Sequence, residues 1–75
     1  MDADAGLAVI GAGAMGSALL TGIVAGGAVE AGRARVYDVV ESVRDQVAAA
    51  TGVSPAPTLA DAVRGARVVL LCVKP

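Results

Sequence analysis

The chain has 75 residues, 56% of them apolar and 17% charged, with a net charge of −1, one Cys and no His. That composition fits at most one small folded domain, not a disordered segment, and the lone Cys72 excludes an internal disulfide. Without His there is no zinc site of the usual kind, no imidazole base and no His-dependent triad, and scattered Arg residues with a single Tyr37 argue against a nucleic-acid groove.

Residues 1–6 form a short polar lead-in. Leu7 to Ile10 is a continuous apolar run that stops at Gly11, the pattern of a strand buried on both faces of a parallel sheet. After a glycine-punctuated turn, Met15, Leu19 and Ile23 recur at helical spacing with Leu20 and Val24 beside them, and Gly26-Gly27 ends that helix. Residues 28–34 read as a loop. Arg35 to Val39 is the next strand. Val40, Val43 and Val47 then mark the apolar stripe of a second helix that ends near Gly52.

Val53 opens a short third strand, limited by Pro55 and Pro57. Thr58 and Asp61 have the spacing of a shortened capping box, which predicts a small helix with Leu59 and Val63 buried and Gly65 as its stop. Val68 to Val73 is a second buried apolar strand, followed by Lys74 and Pro75.

One other partition of the chain competes with this one. Asp4 and Glu30 bracket 25 uncharged residues, long enough to span a bilayer, which needs about 20. Seven glycines, Ser17 and Thr21 dilute that stretch, and Asp2 and Asp4 do not suit the start of a signal peptide. The expectation is therefore no membrane association, and two buried elements joined by a glycine loop. The element order β-α-β-α-(β)-α-β predicts an α/β, Rossmann-like doubly wound parallel sheet. Right-handed crossovers place the fourth strand beside the first. Residues 1–75 read as the N-terminal part of a dinucleotide-binding domain, since nothing follows the last strand to cover it.

Gly11-Ala12-Gly13-Ala14-Met15-Gly16 fits G-x-G-x-x-G between an apolar strand and a helix. Gly11 lets the chain turn out of the strand, Gly13 removes a Cβ where a pyrophosphate approaches, and Gly16 lets helix and strand pack closely. Amides at the helix start and the helix dipole favour the phosphate charge. The bland alternative is a close-packed turn that binds nothing. Asp38, 22 residues past Gly16, stands where a carboxylate accepts hydrogen bonds from the adenosine ribose hydroxyls. It can also cap the following helix, and the two roles are compatible. Its charge repels a 2′-phosphate, and Val39 and Val40 follow where a phosphate site needs Arg, Lys or a hydroxyl. The cofactor is thus NAD or NADP, with Asp38 and Val39 leaning toward NAD.

The run Ile10-Gly-Ala-Gly-Ala-Met-Gly-Ser-Ala-Leu-Leu20, with Thr21-Gly22 and the ending Leu71-Cys72-Val73-Lys74-Pro75, resembles the N-terminal part of pyrroline-5-carboxylate reductase. Members of that family read like I-G-x-G-N-M-G-x-A-L in the loop and A-V-K-P after the fourth strand. The likeness covers essentially the whole chain. It implies NAD(P)H-dependent reduction of 1-pyrroline-5-carboxylate to proline, in proline biosynthesis in the cytoplasm.

Carried over by position, Gly11, Ala12, Gly13, Ala14, Met15 and Gly16 would hold the pyrophosphate. Asp38 and Val39 would meet the ribose, and Cys72, Val73 and Lys74 would line the cofactor near the switch point. The resemblance also implies a helical C-terminal domain that binds substrate and makes a homo-oligomer. That domain is absent from this chain, so no catalytic residue maps here and the chain alone is expected to be inactive.

Three departures stand out: Ala14 where Asn is common, Val39 where a polar or basic residue would favour NADP, and Cys72 in place of Ala. The same loop occurs in β-hydroxyacid dehydrogenases and deazaflavin-linked NADP reductases, and a non-catalytic nucleotide-sensing domain is a further alternative. Read without the family, Cys72 is a small hydrophobe at a strand end, Lys74 a solvated charge, Met15 a packing residue and Tyr37 a sheet residue.

Overall fold

The computed structural model describes residues 6–72. Strand β1 (Leu7–Ile10) leads to helix α1 (Ala14–Ala25). A 3₁₀ turn (Ala31–Arg33) then enters β2 (Ala34–Tyr37). Helix α2 (Glu41–Thr51), β3 (Ser54–Pro55), α3 (Leu59–Val63) and β4 (Val68–Leu71) follow. The strands form one parallel sheet in the order β3-β2-β1-β4. In register, Leu7 lies between Ala34 and Val68, and Ile10 between Tyr37 and Leu71. The architecture is the Rossmann-like α/β arrangement that the alternation of elements predicts, with the fourth strand beside the first.

Strand β1 is apolar along its length because both its faces are covered. Leu7 and Val9 face a cluster with Leu20 of α1, Ala34 and Val36 of β2, and Val47 and Ala48 of α2. Ile10 points the other way, onto Ala56, Ala62 and the half-buried Tyr37. The two-residue period of the strand thus divides one apolar run between two cores. No helix among the described residues is long and apolar enough to cross a membrane.

The buried face of α1 is displaced by one position from the stripe that spacing predicts. Met15 is 67% and Leu19 43% exposed, whereas Gly16 and Leu20 are buried and Ile23 and Val24 pack on the core. The cause is Gly16. The helix rests on the sheet at its one residue without a side chain, so the residues four and seven or eight further on turn inward with it.

A similar correction applies to α3. Leu59 and Val63 are exposed, and the smaller Ala62 is the residue pressed against the sheet. Strand β2 ends at Tyr37, so Asp38 and Val39 lie just past it. Strand β4 is shorter than its apolar run and mostly exposed, because among the described residues only β1 pairs with it. Val73 and Lys74 lie outside the described residues.

The small elements end where the chain chemistry dictates. Gly52, at φ +81°, closes α2 with its amide donating to Ala48 O at 2.8 Å. Arg35 of β2 reaches under α3, where its Nη1 donates to the carbonyls of Asp61 (2.7 Å) and Arg64 (2.9 Å). That cation satisfies carbonyls at the C-terminal end of a very short helix.

Candidate functional site

The glycine loop leaves β1 at the edge of the crevice between β1 and β4, where the direction of strand addition reverses. In doubly wound sheets this crevice is the ligand site. Gly11 is buried at φ +96°, a backbone conformation that side chains disfavour, and its amide donates to Tyr37 O at 2.8 Å. Ala12 is only 2% exposed, and its amide donates to Asp38 Oδ2 at 2.8 Å.

Gly13 is the N-cap of α1, exposed, and a Cβ placed there would meet nothing within 4 Å. Gly16 is the reverse case. A Cβ there would collide with the Gly11 carbonyl oxygen and lie 3.4 Å from Cys72 Cβ. The two glycines therefore do different physical work: Gly16 lets the helix seat against the turn, and Gly13 leaves the approach to the helix start clear.

Helix α1 begins without a side-chain cap and without an acidic residue in its first turn. Gly13 O accepts the Ser17 amide at 2.8 Å, as helical geometry requires. The first-turn amides have no acceptor within a helix, and they stand at the positive end of its dipole. Ala14 and Met15 are exposed on the same turn. An anion approaching here meets backbone N–H groups and small side chains. The residues present thus fit a diphosphate.

Asp38 stands opposite the loop with both carboxylate oxygens engaged. Oδ2 accepts from Ala12, and Oδ1 accepts the Val40 amide at 2.8 Å, at the entry to α2. The second bond closes a turn ahead of α2 and is not the helix cap that its position predicts, since the N-cap of α2 is Val40 and takes no side-chain bond. The first was missed by sequence reasoning. Its signal was the amide of Ala12, a residue next to the end of a buried strand, which needs an acceptor once folded. Ionised carboxylates have about four acceptor sites, so capacity for ribose hydroxyls remains.

A cavity of about 90 Å³ opens beside this carboxylate, lined by Ile10, Gly11, Tyr37, Asp38 and Val39. Val39 is 85% exposed. No cation lines the cavity. Arg44, the nearest Arg along the chain after Asp38, donates from Nε to Asp45 Oδ1 at 2.8 Å and from Nη1 to Ala56 O at 3.3 Å. The hydrogen bond to Asp45 holds its guanidinium pKa above the ordinary value. Cys72 follows β4 directly, its amide donating to Ile10 O at 2.8 Å, and it packs on the main core as a half-buried free thiol.

Of the residues singled out in sequence, Gly11, Ala12, Gly13, Ala14, Met15, Gly16, Asp38, Val39 and Cys72 gather at the C-terminal ends of β1, β2 and β4. Val73 and Lys74 lie outside the described residues. No curated protein matches the chain. The family model described as NADP oxidoreductase, coenzyme F420-dependent, matches residues 6–75. Because that match runs through the glycine loop, Asp38 and all four strands, the chain belongs to this family of NAD(P)-binding oxidoreductase domains.

Proposed function

We propose that this chain is the cofactor-binding portion of an NAD(P)H-dependent reductase that converts 1-pyrroline-5-carboxylate to proline. The observation that carries the nucleotide part is the bare start of α1, with no side-chain cap, no acid and open space above Gly13. The choice of a cyclic imine as substrate is supported by the motif from Ile10 to Leu20 and the ending Leu71-Cys72-Val73-Lys74-Pro75.

The reduced nicotinamide, when bound, supplies the hydride. The residues of this chain bind and orient. Amides of the first turn of α1, around Ala14, Met15 and Gly16, hold the diphosphate, while Gly11 and Gly16 keep that turn against the sheet. Asp38 accepts from the ribose hydroxyls with its remaining acceptor sites. Val39 offers a 2′-phosphate no cation, and the hydrogen bonds of Arg44 run to Asp45 and Ala56, so NAD is favoured over NADP. Cys72 lines the cofactor near the switch point, and the resemblance assigns the same role to Val73 and Lys74, outside the described residues. Substrate binds in a helical C-terminal domain outside this chain, in a cytoplasmic homo-oligomer. The rate advantage comes from holding nicotinamide and imine in reacting geometry.

The matched family's description favours a second reading, in which the same loop serves an NADP reductase linked to a deazaflavin. The two are separated by assay of the complete protein that carries this chain. Oxidation of NADH or NADPH is followed with 1-pyrroline-5-carboxylate, and reduction of NADP with the reduced deazaflavin. Imine turnover is expected, with kcat/KM for NADPH less than about tenfold above that for NADH. Turnover with the deazaflavin alone would replace the first reading by the second. A large NADPH preference would show that Asp38 and Val39 do not set the nucleotide choice. Residues 1–75 alone are expected to show no turnover.

A further inference from the structure

We propose that Asp38 is a positioning residue for the glycine loop: its carboxylate ties the loop to the entry of α2 and so sets where the diphosphate-binding amides point. The inference rests on the nucleotide reading above and deepens it. Two consecutive loop amides are held from the end of β2, Gly11 by Tyr37 O and Ala12 by Asp38 Oδ2, each at 2.8 Å. The other Asp38 oxygen holds the Val40 amide, also at 2.8 Å. One side chain therefore bridges two segments that are 28 positions apart, Ala12 and Val40.

The geometry makes this bridge consequential for binding. Gly11, at φ +96°, turns the chain sharply, and Gly13 is already the N-cap of α1. Ala12 is the sole residue between them, and it is buried. A change in where its amide points is passed directly to the helix start. A carboxylate satisfies both amides because each oxygen accepts. A carboxamide has one accepting oxygen and an NH₂ that cannot accept, so Asp38→Asn must release one amide or the other. A hydrogen bond to an ionised group also contributes more than a neutral one.

A role in loop placement and a role confined to the ribose hydroxyls make different demands on the ligand. The test titrates the complete protein and its Asp38→Asn variant with two probes. One is NADH, and the other is the NADH analogue lacking both adenosine ribose hydroxyls. Loop placement predicts that the substitution weakens the dideoxy analogue about tenfold or more, and NADH, which also loses its ribose contact, by at least as much. Weakening of NADH alone, with the dideoxy analogue unaffected, would overturn the proposal.

Residue-resolved amide exchange supplies a readout that needs neither ligand nor a folded variant. The Ala12 amide of the unmodified protein is expected to be protected like that of Gly11. Where Asp38→Ala, which has no acceptor for either amide, folds, Ala12 should exchange at least about tenfold faster while Gly11 is unchanged. Ala12 exchange at the rate of an exposed amide in the unmodified protein refutes the bridge. Failure of the unmodified protein to bind either probe would refute the nucleotide reading, and the exchange result would still decide the bridge.

Discussion

Helix α3 starts with a side-chain cap. Thr58 Oγ1 accepts the Asp61 amide at 3.1 Å and donates to Asp61 Oδ2 at 2.9 Å, and Arg64 closes on Asp61 Oδ1 at 2.7 Å. At the start of α1 there is Gly13, no side-chain cap and no acid. Both helices follow a strand or turn, and both lie against β1. They differ in what their first amides face. In α3 the chain's own side chains occupy that position, and the helix is a structural strut. In α1 the side chains leave the amides open, while Gly16 seats the helix closely against Gly11. Helix α2 falls between the two, with Glu41 in its first turn and Asp38 on the Val40 amide. Among α1, α2 and α3, only α1 combines a close seat on the preceding turn with a start that has neither a side-chain cap nor an acid.

The largest expected effect concerns the close seat of α1. Gly16→Ala forces a Cβ against Gly11 O, and unfolding by denaturant should show a loss of about 3 kcal/mol with loss of nucleotide binding. Retained stability would mean that α1 does not depend on this close approach.

Gly13→Asp gives α1 the kind of start that α3 has. Stability should change by no more than a few tenths of a kcal/mol. Dinucleotide affinity, by calorimetric titration, should fall about a hundredfold, or ~2.7 kcal/mol. Unchanged affinity would remove the distinction between the two helices.

Thr58→Ala is the converse change. It should cost about 1 kcal/mol of stability and leave affinity untouched.

The smallest effect is on pH dependence at Asp61. Hydrogen bonds from Thr58 and Arg64 hold its carboxyl below the ordinary carboxylate value. A lowered folded pKa adds stability that is present above the unfolded value, about pH 4, and is lost as pH falls through the folded one. Denaturation midpoints at about pH 6 and pH 3 should therefore converge slightly in Asp61→Asn relative to the parent.

The success of pattern reading depended on how local each feature is. Strand β1, the turn glycines, the Gly52 cap and the Thr58–Asp61 cap involve residues within a few positions of one another, and each was legible. The buried faces of α1 and α3 were not. Periodicity marks a stripe, but Met15-Leu19-Ile23 and Gly16-Leu20-Val24 differ by one position, and a scale of hydrophobicity ranks Met above Gly. Contact with Gly11 decides for Gly16. In α3 the larger Leu59 and Val63 lose to Ala62 for the same reason, since close packing on the sheet favours the small residue. Strand β4 reads as buried from its apolar run, yet burial depends on what pairs with the outer edge, which the run does not encode.

The linear order of residues was enough to specify the alternation of strands and helices, the loop geometry that glycine permits and the presence of a carboxylate near it. Those properties rest on periodicity and backbone sterics, which act over short separations. The bond from Ala12 to Asp38 and the clamp from Arg35 to the end of α3 span 26 positions or more. They exist because parallel pairing sets β1 beside β2 in one register and a crossover brings α3 over the sheet. A buried amide needs an acceptor wherever the fold places it, and which side chain arrives there is a matter of assembly in space.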